Sequence, residues 1–336
     1  MVRMEAPGAG GEDRARAGDG GLIGPYVVLR PLDDERSKVP VPERRFIGRS
    51  ADGGRTVLIA VPLPGADPGR YLAEAEASRY LLGPWSAPAA ELAAPGDAPW
   101  HARPYLPAIP LPTALALYGG PLPERTVRAL GAALMETLII GHGQGLAHAG
   151  VSPAAVLLAA DGPRLTCFGA VRAAAGDGTP RSGLPGLESG SLPPEQAAGG
   201  RPQPMGDVYA LGATLAYAAT GYTVPEREEL PAALRTVITG CLSRDPAARP
   251  RPAEVLDALS PLAGDGARAA VPGAAGDAAG PLPPATVLDA AGSPAGRAAA
   301  ALGPGWLPGR LIAALARQSA DVLAATLPLP PAARQD

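Results

Sequence analysis

His148-Ala149-Gly150-Val151-Ser152-Pro153-Ala154-Ala155-Val156-Leu157-Leu158 is followed, nine residues on, by Cys167-Phe168-Gly169. Val156-Leu157-Leu158 and Leu165-Thr166-Cys167-Phe168 flank Ala160-Asp161-Gly162-Pro163, a turn between two apolar runs that reads as a hairpin. Upstream, Pro121-Leu122-Pro123-Glu124 opens a helix in which Val127, Leu130, Leu134 and Leu138 recur every three or four residues, one face of a 3.6-residue period. Downstream, Val208 to Thr220 carries little charge on any side, the pattern of an interior helix. Shorter helices are expected near 231–242 and 252–259. Nearer the start, Tyr26-Val27-Val28-Leu29 after Gly24-Pro25, and Val57-Leu58-Ile59-Ala60-Val61 after Gly53-Gly54, read as strands. Tyr71 to Leu82 reads as a helix closed by Gly83-Pro84. Strands early, helices late and a hairpin between them predict a two-lobed α+β architecture, with a small β-rich N-lobe and a larger α-helical C-lobe.

Composition narrows the function classes. The chain has 336 residues, 46% of them hydrophobic but only 4% aromatic, so its core is built from Leu, Val and Ala. Gly 44 and Pro 42 make about a quarter of it and crowd the two ends. Net charge is −3 and there is no basic stripe, which argues against a nucleic-acid partner. Lys38 is the sole lysine among the 29 basic residues. Two lone cysteines, Cys167 and Cys241, make neither a disulfide framework nor a metal quartet. No signal-peptide pattern and no apolar run of spanning length is read, so a soluble, cytoplasmic protein without a membrane span is expected.

The opening stretch is similar to the catalytic loop H-R-D-x-K-P-x-N-V-L-L of protein kinases, and Cys167-Phe168-Gly169 resembles their D-F-G motif. Pro194-Glu195-Gln196 resembles the end of the activation segment, and Asp207-Val208-Tyr209-Ala210-Leu211-Gly212 the start of the central helix. Cys241-Leu242 through Asp245-Pro246 to Arg249-Pro250 resembles the signature near that domain's end. Five matches in the family's order make the chain resemble a bacterial, actinobacterial-type serine/threonine protein kinase, as a degenerate member or pseudokinase. The resemblance implies a kinase-like domain over 22–262, with the N-lobe at about 22–104 and the C-lobe at about 105–262. Around it are expected a disordered tail (1–21), an Ala/Gly/Pro-rich linker (263–305) and a C-terminal tail (306–336) with a helix at about Leu307–Thr326.

The resemblance separates framework from chemistry. Glu195 and Arg249 are implied to form a buried ion pair, Asp207 to cap the backbone of the catalytic loop, and His148 and Phe168 to sit in the apolar spine linking the lobes, with Gly169 beside them. Glu74 matches the helix glutamate that pairs with the nucleotide-binding lysine. The chemical positions are changed: Gly150 for the carboxylate that orients the acceptor hydroxyl, Ser152 for the lysine beside it, Ala155 and Cys167 for the two magnesium ligands, and Ala60 for the strand lysine. A thiol is a poor ligand for a hard cation. Where the glycine-rich loop belongs stands Pro31-Leu32-Asp33-Asp34-Glu35-Arg36-Ser37, without glycine and with three carboxylates. The expectation is therefore no enzyme and no bound cofactor, with ATP admissible and magnesium disfavoured. The role implied is a signalling or scaffolding module that binds a protein partner, a kinase or its substrate.

The alternative is an atypical serine/threonine kinase or nucleotide-binding protein with residual or magnesium-independent ATP use, a purine entering an apolar cleft near Pro104-Tyr105-Leu106. A decaying gene copy is a third reading, and it predicts poor folding. Local readings are plainer. With Ala60 opposite, Glu74 is expected to be an exposed helix residue; Asp33, Asp34 and Glu35 a solvated turn; His101 and His142 exposed or at helix ends; and Cys167 a buried inert thiol, with a redox-sensitive or metal-linked thiol as the alternative. Thr179, Ser182 and Ser189 fall in the activation segment, where phosphorylation could order the loop through an arginine. The last helix is expected to fold back on the domain, with partner docking as the other possibility.

Overall fold

The computed structural model describes residues 21–34, 37–260 and 297–327. The expected N-terminal tail up to residue 20, Glu35 of the acidic turn, and the linker from 261 to 296 lie outside the described residues.

The chain first builds an antiparallel sheet of β1 (Leu22–Ile23), β2 (Tyr26–Pro31), β3 (Glu43–Ser50), β4 (Thr56–Pro62), β5 (Glu91–Leu92) and β6 (His101–Pro104). Its strand order is β1-β2-β3-β4-β6-β5. One helix, α1 (Pro68–Ser78), crosses between β4 and β5. It begins a turn earlier than hydrophobic periodicity suggests. The Asp67 side chain accepts from the Arg70 N–H at 2.9 Å, and Pro68 fits the first helical position, where no donor is needed.

The lower lobe holds β7 (Ala108–Pro110), α2 (Leu111–Tyr118), α3 (Glu124–Gly143), β8 (Val156–Ala159), β9 (Gly162–Leu165), α4 (Ala170–Ala174), α5 (Pro194–Ala197), α6 (Pro204–Thr220), α7 (Ala232–Cys241) and α8 (Pro252–Leu259). β8 and β9 form the hairpin that the turn residues announce, with β7 on its outer edge. Leu130, Leu134 and Leu138 of α3 and Leu211 and Leu215 of α6 meet in one core, which takes in Leu234, Ile238, Val255 and Leu259 from the following helices.

Two more helices complete the described chain, α9 (Arg297–Ala301) and α10 (Gly309–Ala324). They are part of the same packing. Trp306, Leu307, Leu311 and Leu315 join the lower-lobe core, and the Trp306 indole N–H donates to the Ala160 carbonyl at 2.8 Å. α10 then climbs past the connection between the lobes. Gln318 accepts from the Ala108 N–H and donates to the Ala108 carbonyl, both at 3.1 Å. At its far end Arg49 of β3 donates to the Ala325 carbonyl at 2.8 Å and to the Val322 carbonyl, satisfying acceptors that the end of a helix leaves free. A single helix thus touches both lobes.

Candidate site in the interlobe cleft

Side chains alternate across a strand, so the register decides what faces the cleft. Arg45 pairs with Ala60 and Ile47 with Leu58 across β3 and β4, while Ala60 pairs with His101 and Leu58 with Arg103 across β4 and β6. Glu43, two residues before Arg45, shares its face. The lower face of the sheet therefore carries Glu43, Arg45, His101 and Arg103, all buried, around the small Ala60.

These charges meet in the rear of the cleft. The Glu43 carboxylate accepts from His101 Nε2 at 3.2 Å, from the Tyr71 hydroxyl at 3.3 Å and from the Cys167 thiol at 3.5 Å. Burial opposes its charge, but the His101 hydrogen bond and the nearby Arg103 and Arg45 outweigh that and hold its pKa at about 2. Burial, reinforced by Glu43, pushes the Cys167 thiol up to about 12, so it stays protonated and donates. Arg45 is bound by both oxygens of Asp33, with Nε 2.9 Å from Oδ2, and also reaches Thr166 Oγ1 at 3.4 Å. Two readings from sequence are corrected here. Asp33 belongs to a cleft ion pair rather than a solvated turn, because the buried guanidinium of Arg45 on the neighbouring strand requires it. His101 is 5% exposed and held by Glu43, not a surface residue.

The front of the cleft is closed by apolar groups. Leu32, Ile47 and Leu58 from above, Leu157 and Ala159 from below and Val322 of α10 form one buried cluster with Ala108, and Tyr105 packs against it. Leu32, Leu58 and Leu157 are each no more than 6% exposed, which leaves no gap between roof and floor beside Pro104-Tyr105-Leu106. The apolar cleft expected to admit a purine there is thus filled by the chain's own leucines.

The positions matched to the chemical residues lie close together but hold no charge of their own. Ala60 and Ala155 are fully buried, and the Ser152 hydroxyl accepts from the Ala155 N–H at 3.3 Å, as a cap to a short turn. Gly150 lies under the Cys167 carbonyl, which a Cβ at residue 150 would strike. Cys167 and Ala149 adopt φ of +60° and +53°, a region that side-chain-bearing residues seldom occupy. Among the described residues no group of three His, Cys, Asp or Glu could hold a metal ion. Ala155 and Cys167 themselves offer magnesium no oxygen ligand, and leucines occupy the apolar cleft.

Glu74 is also corrected. It is half-buried and gripped by Arg172, whose Nε lies 2.8 Å from Oε1 and 2.9 Å from Oε2. Gly169, at φ +72°, lets the backbone pass against that carboxylate, where any side chain would collide with it. The same guanidinium stacks over Phe168 at 4.9 Å and donates to the Ala147 carbonyl at 3.1 Å. An arginine of the lower lobe therefore takes the place of the missing strand lysine as the partner of the α1 glutamate.

The framework positions make close contacts. Arg249 binds Glu195 in a two-pronged pair, at 2.6 and 2.8 Å. Asp207 accepts from the N–H groups of His148 at 2.7 Å and Ala149 at 2.8 Å, and from His142 Nε2 at 2.9 Å. Thr179, Ser182 and Ser189 are exposed along the activation segment, whereas Arg181 between them is fully buried and donates to the carbonyls of Ala175 at 3.2 Å and Gly200 at 2.8 Å.

His148 packs edge-on against Phe168 with ring centroids 5.5 Å apart, and neither ring nitrogen has a partner. Burial lowers its pKa from 6.5 to about 4, against the pull of Asp207, with Arg172 and His142 adding to the burial effect. The unfolded chain then binds a proton between those two values that the folded chain refuses. Stability contributed by neutral His148 is complete above about pH 6.5 and lost as pH falls to about 4, some 3 kcal/mol in all. Urea midpoints taken from pH 7 to 4 should fall accordingly, and His148→Phe should flatten that fall; an unchanged slope in the variant would remove His148 as its source.

Glu43, Arg45, Tyr71, Arg103 and Arg172 escape a motif-based reading. The signal that could have found the first two is the alternation Glu43-Arg44-Arg45-Phe46-Ile47, a strand whose charges sit on the inner face.

No family model matches this chain. It is 34% identical over 265 residues to the probable serine/threonine-protein kinase PkwA of Thermomonospora curvata, an alignment covering 72% of this chain and 35% of that protein. It is 32% identical to the serine/threonine-protein kinase AfsK of Streptomyces coelicolor, over 71% of this chain and 32% of that one. The chain thus spans about a third of the length of these relatives. In structure it resembles the PknI kinase domain of Mycobacterium tuberculosis, with a TM-score of 0.56 and 22% identity, over 73% of this chain and 98% of that domain. That likeness bears on the fold, which is the two-lobed α+β fold of a protein kinase. The expectation that the chain is not an enzyme is corrected by the relatives: at 32–34% identity they are named serine/threonine-protein kinases, which points to a kinase enzyme. Among the described residues no helix is long and apolar enough to cross a membrane.

Proposed function

We propose that this chain, whose fold is that of a protein kinase and whose homologues are bacterial serine/threonine protein kinases, acts in signalling as an atypical domain of that type. Its working cleft does not use the usual magnesium-nucleotide machinery. The observation that carries this reading is the packing of Glu43, Arg45, Asp33, His101 and Cys167 into one hydrogen-bonded cluster where phosphates and metal would be held. Phosphoryl transfer is stabilised by metal ions and cations placed around the moving group. Here Arg45 is already committed to Asp33 and Arg172 to Glu74. Any transfer the domain performs is accordingly independent of side chains at 60, 150, 155 and 167.

The lower lobe supports a second element of the reading, recognition of a protein partner. The activation segment is held in one arrangement by Arg181 and by the Glu195–Arg249 pair, while Thr179, Ser182 and Ser189 face outward. A segment so fixed presents a constant surface without phosphorylation.

A thermal melt of the purified chain with ATP, in magnesium and in EDTA, tests the proposal. A ligand at 100 times its dissociation constant adds about 2.7 kcal/mol, or several degrees. The expected result is that magnesium changes nothing: the midpoint with ATP is the same in both buffers. A shift seen only with magnesium would overturn the reading. Transfer of labelled phosphate from ATP to a basic protein, run beside the melt, is expected to show the same indifference to magnesium.

A further inference from the structure

We propose that α10 is a divided strap: its first half is anchored in the lower lobe, and its second half, Gln318 to Ala325, is a releasable fastening that holds the two lobes together and governs opening of the cleft. The inference is independent of how the domain treats nucleotides.

The two halves are held differently. In the first, Leu311 and Leu315 are 1% and 4% exposed and join the main core beside Trp306 and Leu307, just ahead of the helix. Trp306 is fixed at two points, its carbonyl accepting from the Thr126 hydroxyl at 2.7 Å and its indole N–H donating to Ala160. In the second half only Gln318 and Val322 are buried, four residues apart and so on one face of the helix. Leu323, one residue on, is 79% exposed. Apolar burial is the main source of stability, and elements that bury little of it open first. The second half therefore opens while the first stays seated.

Yet the second half is where the lobes are tied. Val322 joins the cluster that Leu32, Ile47 and Leu58 of the upper lobe form with Leu157 and Ala159 of the lower one. Gln318 takes both backbone groups of Ala108, on the edge strand β7. Arg49 of β3 donates to the Val322 and Ala325 carbonyls. The Arg30–Asp321 pair, at 3.8 Å with both side chains exposed, adds little. One valine and four hydrogen bonds to backbone thus fasten the front of the cleft.

Release of this fastening is cheap for a second reason. The groups it frees, the Ala108 backbone and the last carbonyls of α10, come to lie in water, which satisfies them, so no donor or acceptor is left buried and unpaired. The lobes then remain joined at the rear by Arg45 with Thr166, Glu43 with Cys167 and Glu74 with Arg172. The cleft opens from the front about those contacts.

The chain carries its own reporters. Cys167 is buried at the junction of the lobes and Cys241 in the lower-lobe core. Thiol labelling of the full chain under native conditions, read by peptide mass, measures opening at each. Arg49→Met combined with Gln318→Ala removes the four bonds and keeps the valine. It is expected to speed labelling of Cys167 by at least about tenfold and to leave Cys241 unchanged. Val322→Ala is expected to act in the same sense, and serves alone if the double variant does not melt cooperatively. Val322→Cys is expected to label at its new thiol faster than Leu315→Cys does, which places the opening in the second half. Equal acceleration of Cys167 and Cys241 would mean a general loss of stability, and the proposal would fall. It would fall equally if Cys167 labelling did not change, or if the new thiols at 315 and 322 labelled at one rate.

Discussion

Glu195→Ala should lower the stability of the fold by about 3–5 kcal/mol, the range for removing one partner of a buried ion pair. The reason is what remains. The Arg249 side chain is 0% exposed, while that of Glu195 is 27% exposed. The arginine is held by more than its partner: Nε donates to the Ser243 carbonyl at 2.9 Å, an Nη to the Met205 carbonyl at 2.8 Å, and the guanidinium lies 5.1 Å from the Tyr209 ring centre. It has nowhere to go when the carboxylate is removed, so its charge stays buried and unpaired. Small domains are stable by only 5–15 kcal/mol, so this one change takes a large share. Arg249→Met is a different experiment. It deletes the buried charge itself and leaves Glu195, which can turn to water, although the backbone acceptors at Ser243 and Met205 lose their donor. The alanine variant at 195 should therefore show the lower urea midpoint of the two, with the slope of the transition unchanged. A loss below about 1 kcal/mol would mean that the pair behaves as a surface salt bridge, and the account of a rigid activation segment would fail with it.

The lower lobe could be read because its signals are local. The leucine spacing of α3, the uncharged run Val208–Thr220 of α6 and the Asp161-Gly162 turn between β8 and β9 each declare themselves within twenty residues. Glu195, Asp207 and Arg249 are recognisable because each sits inside a short motif. The cleft is different, because its partners are brought together only by folding. Glu74 finds Arg172 98 residues away, and Glu43 finds Cys167 124 residues away. Scanning the sequence for a lysine at Ala60 finds none, and it does not show what partners Glu74 instead. The strand β3 has no reading from sequence, since Glu43, Arg44 and Arg45 are charged and only the alternation with Phe46 and Ile47 hints at a pleat. Its charges point inward because Arg45 lies opposite Ala60, a side chain small enough to leave room for a guanidinium. The step from absent side chains to absence of enzyme activity went further than the residues allowed. Relatives named as kinases overturn it, and the residues alone speak only to which machinery is missing.

The second large effect belongs to Glu43. Glu43→Ala should cost about 3–5 kcal/mol, as it strips the carboxylate from a buried cluster in which His101 and Tyr71 donate to it and the charges of Arg103 and Arg45 lie near it. Glu43→Gln separates shape from charge. The amide keeps the volume and can accept from Tyr71 or His101, but it cannot balance Arg45 and Arg103. Acid makes the distinction measurable. In the folded chain the Glu43 pKa is about 2, against an ordinary 4.5, so the folded form holds on to the charge more strongly than the unfolded chain does. Stability from this group is complete above about pH 4.5 and is lost as pH falls to about 2, roughly 3 kcal/mol over the interval. The His148 window lies higher, between about 6.5 and 4. The natural chain should therefore lose stability in two successive legs on acidification, the first removed by His148→Phe and the second by Glu43→Gln. If the glutamine variant still lost stability between pH 4.5 and 2 as the natural chain does, the carboxylate would not be the charged centre of the cleft. The cluster would then be held by Asp33 and Arg45 alone. The outcome decides whether the ionised Glu43 carboxylate is the group around which the buried charges of the cleft are organised.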